Sequence, residues 1–389
     1  MSEHFSRNDM QQRVGVVKKL AGPGYEDLQT ALTEEQVAGN IENFVGAVPV
    51  PLGLCGPVEI LGEHANGSFI VPMATLEGTL VASYSRGVKA MNMSGGCETL
   101  VYGDAFLRGV QFNTASLGDA VRLFTWCKQK EAEIRKLTAR DSNHLRPLEI
   151  TYEHMGSSVL LSISCDTGDA MGSNMSSKAI SEVANYITAH SGLVQDCVLP
   201  YPEDKKFLPA RRKGKKVVAR TVLRRDVVAA VTRTSLERLH HFVADYKNLL
   251  ALHGSYSLNI HAANGLAGMF QAFGQDMAYL AECSQAIVDT RFIDKDKLEV
   301  SVTLPTLIVG TVGGGTGLPA YQATLSMVGC AGSGKAKKLA EIMTSVVLAG
   351  EIGCAAAQCA HEFVTAHETL GKNRPLESVG SGAAHSVLH

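Results

Sequence analysis

Four stretches of the chain set a polar side chain among small or glycine residues, where it could take part in a reaction. Glu77 is the only charge in Met73–Ser83 (MATLEGTLVAS). A carboxyl desolvated by such neighbours is suited to proton transfer. The plain alternative is a helix N-terminal carboxylate facing solvent. Asp204, Lys205 and Lys206 put two ammonium groups beside a carboxylate, a pattern that on its own reads as a solvated loop. In His261–Asp276 (HAANGLAGMFQAFGQD), Asn264 and Asp276 are 12 residues apart. That is close to a whole number of helical turns, so one continuous helix would put both on one face. A carboxylate in so apolar a helix predicts a buried cationic partner such as a lysine.

The fourth stretch is a pair of glycine turns, Asp166–Met175 (DTGDAMGSNM) and Gly310–Thr316 (GTVGGGT). Backbone amides in such turns can approach a phosphate, although tight turns need glycine for their own geometry. Neither is a GxGxxG opening a βαβ unit, so a Rossmann site is not supported. Gly329–Ala336 (GCAGSGKA) nearly matches a P-loop, but Ala336 stands where a Ser or Thr would bind magnesium. The Cys and His residues lack ligand spacing, so no metal is expected.

Several elements must position these groups. Pro49, Pro51 and Pro57 keep Glu42–Pro57 extended, as a strand or a subunit contact. Ser68–Met73, Leu148–Tyr152, Ser158–Ser164, the stretch up to Leu223, Leu298–Val302 and Thr306–Val309 read as strands. Gly78, Ala82, Ser83, Gly87 and Ala90 predict a helix packed closely on its neighbours. Ala120–Arg135, Ser177–His190, Arg233–His253, Ala262–Ala281 and Ala336–Glu362 read as further helices. Met1–Thr30 reads as a helical or loose arm, and the glycines after His367 as a flap.

The chain has 389 residues, 45% hydrophobic and 19% charged, which describes a globular, multi-domain protein. Its 36 Lys+Arg against 38 Asp+Glu argue against a general nucleic-acid binder. The first dozen residues lack an apolar leader core, and no uninterrupted run of 18 apolar residues occurs. No membrane span is therefore expected. The 9 scattered cysteines, none in a CxxC pair, fit a reduced, cytoplasmic protein.

ENFVGAVPVPLG (42–53), MATLEGTLVAS (73–83), TGDAMGSNM (167–175), DKK (204–206), HAAN with GQD (261–276), GTVGGGT (310–316) and LAGE (348–351) occur in this order. Together they resemble the hydroxymethylglutaryl-CoA reductases. The DKK lysine and the Asn373-Arg374 pair resemble the soluble catalytic portion of the class I form. The resemblance implies an α/β (α+β) fold: a large domain around a central helix, with an inserted small non-Rossmann cofactor-binding domain. It implies an arm over 1–40, a large substrate- and CoA-binding domain over 41–108 and 198–366, an NADP-binding domain over 109–197 and a flap over 367–389. It further implies a homodimer or higher homo-oligomer with a shared active site.

By the same resemblance, Glu77, Lys205, Asp276 and His367 are catalytic, and Arg108, Asp204, Lys206 and Asn264 contact substrate. Ser83 and Arg86 fall where the family contacts coenzyme A. Asp169, Met171, Gly172, Asn174, Val312, Gly313 and Gly314 fall on cofactor positions, and Arg140, Asn373 and Arg374 around the NADP phosphate and flap. The implied reaction is the four-electron reduction of (S)-3-hydroxy-3-methylglutaryl-CoA to mevalonate and CoA, using two NADPH per turnover. The chain departs from the family at Val198, Cys354 and Gln358. Those departures keep open the reduction of a related acyl-CoA; a silent CoA-binding paralogue is a further reading, against which the intact Glu77, Lys205, Asp276 and His367 argue.

Overall fold

The computed structural model describes residues 7–21, 30–201, 213–255 and 257–363. Helix α1 (Arg7–Ala21) is followed by the single turn α2 (Glu34–Val37), which opens with a capping box. Thr33 Oγ1 accepts from Gln36 N while the Gln36 side chain accepts from Thr33 N. Strands β1 (Leu52–Gly62) and β2 (Asn66–Ala74) form an antiparallel hairpin, and α3 (Leu80–Met93) leads to the 18-residue strand β3 (Cys97–Thr114).

Next come α4 (Leu117–Gln129), α5 (Glu131–Ala139), β4 (Arg146–Met155), β5 (Ser158–Asp166), α6 (Ser173–Ser191) and β6 (Val194–Tyr201). The amphipathic stretch Ala120–Arg135, read as one helix, is two, because Lys130 leaves the helical path and serves as the C-cap of α4 and the N-cap of α5. Beyond β7 (Lys213–Arg224), α7 (Arg225–Val227) runs into a π-helical turn and then α8 (Leu236–Leu252). The chain continues through α9 (Ala262–Ala272), α10 (Leu280–Cys283), β8 (Ile287–Asp294), β9 (Lys297–Leu307), α11 (Pro319–Met327) and α12 (Ala336–Cys359). The two short strands expected at 298–309 are thus one strand, β9.

Among the described residues nine strands make one mixed sheet: six follow the order β2-β1-β3-β7-β9-β8, while β5 and β6 branch from β3 and β4 pairs with β5. Only β1 and β3 pair in parallel. The length of β3 lets it serve two cores. Its first half pairs with β7 (Glu98↔Arg220 to Phe106↔Lys213), and its second half with β5 (Phe106↔Cys165 to Asn113↔Ser158). The main core surrounds α12, whereas a second core draws only on residues 110–197, among them Phe112, Leu123, Ile163 and Ile187. The fold is therefore mixed α/β around a central helix, with a smaller, antiparallel, non-Rossmann unit inserted.

Helix α12 is apolar on every side, and such a helix must be buried. By length and composition it could cross a membrane, but its apolar window lies wholly inside the protein. The sequence shows no unbroken apolar run there because Glu341 and Glu351 interrupt it, and both are fully buried. Helix α3 crosses α12 with its backbone almost in contact. A Cβ on Gly87 would fall on the carbonyl oxygen of Ala349, and one on Gly353 on that of Ser83. This is the close packing that the small residues of α3 predict.

Candidate active site

Between β2 and α3 the chain turns at Thr75, whose Oγ1 accepts from Glu77 N (2.9 Å). Helix α9 approaches from the other side. Asn259 Oδ1 accepts from Ala262 N (3.0 Å) at its first turn. Asn264 Nδ2 then donates to both carboxylate oxygens of Glu77, at 3.2 and 2.9 Å. MATLEG and HAAN, 187 residues apart in the chain, thus meet in one carboxylate–amide pair. Glu77 is exposed, and so is Leu76 before it. The desolvation expected from the apolar neighbours does not arise within one chain, because the turn lifts Glu77 off the core.

The expected common face of Asn264 and Asp276 is also corrected. Helix α9 ends at Ala272, and Gly274 takes φ +65°, where a Cβ would meet the Tyr321 ring at 2.7 Å. Asp276 begins a separate 3-10 turn, its Oδ1 accepting from Ala278 N (2.9 Å). Gln275 in the break bonds its carboxamide twice to Gly310. Nε2 donates to Gly310 O (3.0 Å) and Oε1 accepts from Gly310 N (2.9 Å). The GQD turn is thereby bonded to GTVGGGT, a role for Gln275 that the sequence reading missed.

The two glycine turns lie against each other. Thr311 N donates to Asp169 O (2.8 Å), and a Cβ on Gly310 would strike Asp169 O and Met171 N, both at 2.8 Å. The Asp169 side chain faces elsewhere. Oδ2 accepts from Gly334 N (2.6 Å), and Oδ1 from Lys335 N and Ala336 N (3.0 Å each), at the start of α12. The amides of the near P-loop do hold an anion, and it is the protein's own carboxylate. Burial would raise the Asp169 pKa, but these three amides outweigh it and hold the carboxyl below its usual range.

Met171 is half-buried and Asn174 exposed, either side of Gly172 (φ +92°), from which α6 starts without a side-chain cap. Arg108 is buried beneath that first turn. Its Nη2 donates to Ser173 Oγ (2.7 Å), its Nε to Ser177 Oγ (3.1 Å), and its guanidinium lies over the Phe106 ring. Val312, Gly313 and Gly314 are exposed, and among the described residues, its chain neighbours aside, no heavy atom lies within 4 Å of where a Gly313 Cβ would be. An uncapped helix start facing an open glycine turn suits an anionic dinucleotide such as NADPH.

Arg140 is exposed and paired with Asp141 (3.0 Å) and Glu182 (2.9 Å). Ser83 is half-buried on α3. Arg86, one turn on, donates to Thr232 O (2.7 Å) and pairs with Glu362 (3.0 Å). Of the family departures, Val198 is exposed on β6, Gln358 half-buried and Cys354 buried. Asp204, Lys205, Lys206, His367, Asn373 and Arg374 lie outside the described residues. Missed in the sequence was Lys215, fully buried, whose Nζ reaches Asp104 (3.4 Å) and Val309 O (3.3 Å) just before GTVGGGT.

Solved structures that share this fold include reductases. The class II 3-hydroxy-3-methylglutaryl-CoA reductase from Streptococcus pneumoniae, bound to NADPH in open conformations, aligns over 90% of this chain and 86% of its own. The TM-score is 0.69 at 19% sequence identity. Another structure of the reductase from that organism gives 0.70 over 92% of this chain and 99% of its own, at 18% identity. The 3-hydroxy-3-methylglutaryl-coenzyme A reductase of Aeropyrum pernix is 38% identical, covering 92% of this chain and 88% of the relative. That of Pyrococcus abyssi is 34% identical, covering 96% and 93%. The sequence model of the hydroxymethylglutaryl-coenzyme A reductase family matches residues 9–372. The chain belongs to this family and is an enzyme of it.

Proposed function

We propose that the chain reduces (S)-3-hydroxy-3-methylglutaryl-CoA with two NADPH and two protons, giving mevalonate, CoA and two NADP+. The observation that carries this reading is the Glu77–Asn264 pair, formed by two of the family's motifs from distant parts of the chain. Membership of the family names the substrate. Bound NADPH supplies hydride, a chemistry that side chains lack.

The chain's own residues bind, orient and move protons. Lys205 offsets the oxyanion that develops on the thioester carbonyl, since fixed positive charge is often the largest catalytic contribution. Asp276 holds that lysine charged and oriented. His367 protonates the departing CoA thiolate, a task suited to a group that titrates near neutral pH. Glu77, fixed by Asn264, relays a proton to the aldehyde oxygen in the second reduction. Arg108, Asp204 and Lys206 hold the acyl group, and Ser83 and Arg86 the coenzyme A.

The unit over 109–197 is the NADP-binding domain, supported by its separate core. Met171, Gly172, Asn174, Val312, Gly313 and Gly314 line the cofactor's path, and Asp169 holds their loop in place. Arg140, Asn373 and Arg374 meet the 2′-phosphate. The substrate and CoA domain spans 41–108 and 198–366, with an arm before it and a flap after. The outward faces of β1, β2 and β3 expose Leu52, Leu54, Ile70, Leu100 and Tyr102. These exposed apolar side chains support a homodimer that would cover them. Nine unpaired thiols support a reducing, cytoplasmic setting.

The test is NADPH oxidation by the purified protein with a panel of acyl-CoAs, run with both NADPH and NADH. A clear preference for the hydroxymethylglutaryl thioester and for NADPH is expected. Preference for another acyl group would move the assignment to a related substrate, with Val198, Cys354 and Gln358 as the residues responsible.

A further inference from the structure

Helix α12 carries two buried carboxylates, and each binds a pair of backbone amides. Glu341 Oε2 accepts from His64 N (3.0 Å) and Ala65 N (2.6 Å), which pins the turn between β1 and β2. Glu351, ten residues on, does the same for the segment entering α9. Its Oε2 accepts from Ile260 N (2.7 Å) and its Oε1 from His261 N (2.9 Å). A buried carboxylate is costly unless its lone pairs are satisfied, and bonds from two successive amides fix both the position and the rotation of the backbone they hold.

The same turn is gripped from its other side. The His261 ring lies 3.6 Å from Glu351 Oε1 and stacks on Tyr84, with centroids 5.2 Å apart. Tyr84 Oη donates to His261 O (3.3 Å). Burial opposes charge on His261, but Cys354 and Glu351 beside it outweigh burial and lift its pKa to about 10. Glu351 therefore faces the His261 ring as well as two amides. The grip is passed on within one turn, because Asn264 N donates to His261 O (3.0 Å) and the Asn264 carboxamide holds both oxygens of Glu77.

We propose that Glu351, the acid of the LAGE motif, is a positioning residue of the active site: it fixes the first turn of α9 so that Asn264 holds Glu77 in its working orientation. The proposal rests on the reading of Glu77 as the proton-relaying acid. Glu351 is buried and acts through the segment entering α9.

Glu341 supplies the comparison that separates positioning from plain structural support. Glu341→Gln and Glu351→Gln each remove the charge from a buried carboxylate that holds two amides, on the same helix, but only Glu351 leads to Glu77. The experiment measures the thermal midpoint, kcat, and the KM for the acyl-CoA in wild type, Glu341→Gln, Glu351→Gln and Glu77→Gln. Both α12 variants should lose thermal stability. Only Glu351→Gln should lose kcat, by ~10- to 100-fold with KM within about twofold, as for a misplaced reacting group. If Glu351→Gln does not fold, Glu351→Asp keeps the charge, draws it back by one methylene and carries the same expectation. Equal kcat in the Glu341 and Glu351 variants, beside an inactive Glu77→Gln, overturns the positioning role alone. Near-normal turnover by Glu77→Gln overturns the reading of Glu77 and the proposal with it.

Discussion

Replacing Asp169 by alanine separates two roles for one residue. The family resemblance assigns Asp169 to the cofactor, whereas its carboxylate spans three amides at the start of α12. Losing a side-chain cap costs ~0.5–2 kcal/mol, and hydrogen bonds to a charged group are worth ~1.5–3 kcal/mol each without being additive. A loss of about 2–4 kcal/mol follows. At ~2 cal/mol/K per residue, the unfolding entropy of a chain this long converts that loss to a fall of about 2–5 °C in the melting temperature. The fall should appear without any ligand. NADPH KM should also rise, because the freed loop carries Met171 and Gly172. The pH dependence has a definite sign. The folded-state pKa lies below the usual carboxylate range, so the stabilisation is present above that range and fades as pH drops through the depressed value. Wild type and Asp169→Ala should therefore converge in stability on acidification. A variant that melts like wild type at neutral pH, yet binds NADPH poorly, would refute the clasp and return the carboxylate to the cofactor.

Gly87→Ala should destabilise the fold by about 1–3 kcal/mol or more, because the new methyl lands on rigid backbone at Ala349; an unchanged denaturant midpoint would mean that the helices separate easily. Arg140→Ala should raise KM for NADPH and leave NADH kinetics unchanged, since a guanidinium suits the 2′-phosphate; equal effects on both cofactors would place Arg140 away from it. His367→Gln should lose thioester reduction but keep much of the reduction of free mevaldehyde, which has no thiolate to expel; equal loss in both assays would assign the histidine to another step.

Periodicity and small-residue spacing make α12, α3 and the strands β2, β4, β5, β7 and β9 legible, because each follows from local sequence, whereas β3, β6 and β8 are not announced by it. The α3 glycines even announced close packing. The failures are equally physical. Helix α9 was extended past Gly274 because its apolar pattern continues there, whereas the φ +65° turn is imposed by Tyr321 and Gly315 from elsewhere in the chain. The neighbours of Glu77 in sequence suit either a desolvated acid or a carboxylate facing solvent, and with Leu76 beside it exposed, the second holds. The bonds of Gln275 to Gly310 and of Asp169 to Gly334 join segments 35 and 165 residues apart, and no local pattern announces either. The motifs located the site, and only tertiary structure showed which of their polar groups are already committed to the protein itself.

The central claim is the complete reduction of the thioester to the alcohol, and its most direct test is a count of products. With limiting (S)-3-hydroxy-3-methylglutaryl-CoA, excess NADPH and the purified protein, NADPH consumed is followed by absorbance and released CoA by thiol titration, and mevalonate is quantified. The account predicts two NADPH oxidised per CoA released, with mevalonate equal to CoA. One NADPH per CoA with the aldehyde as product, or CoA release without NADPH oxidation, would contradict it.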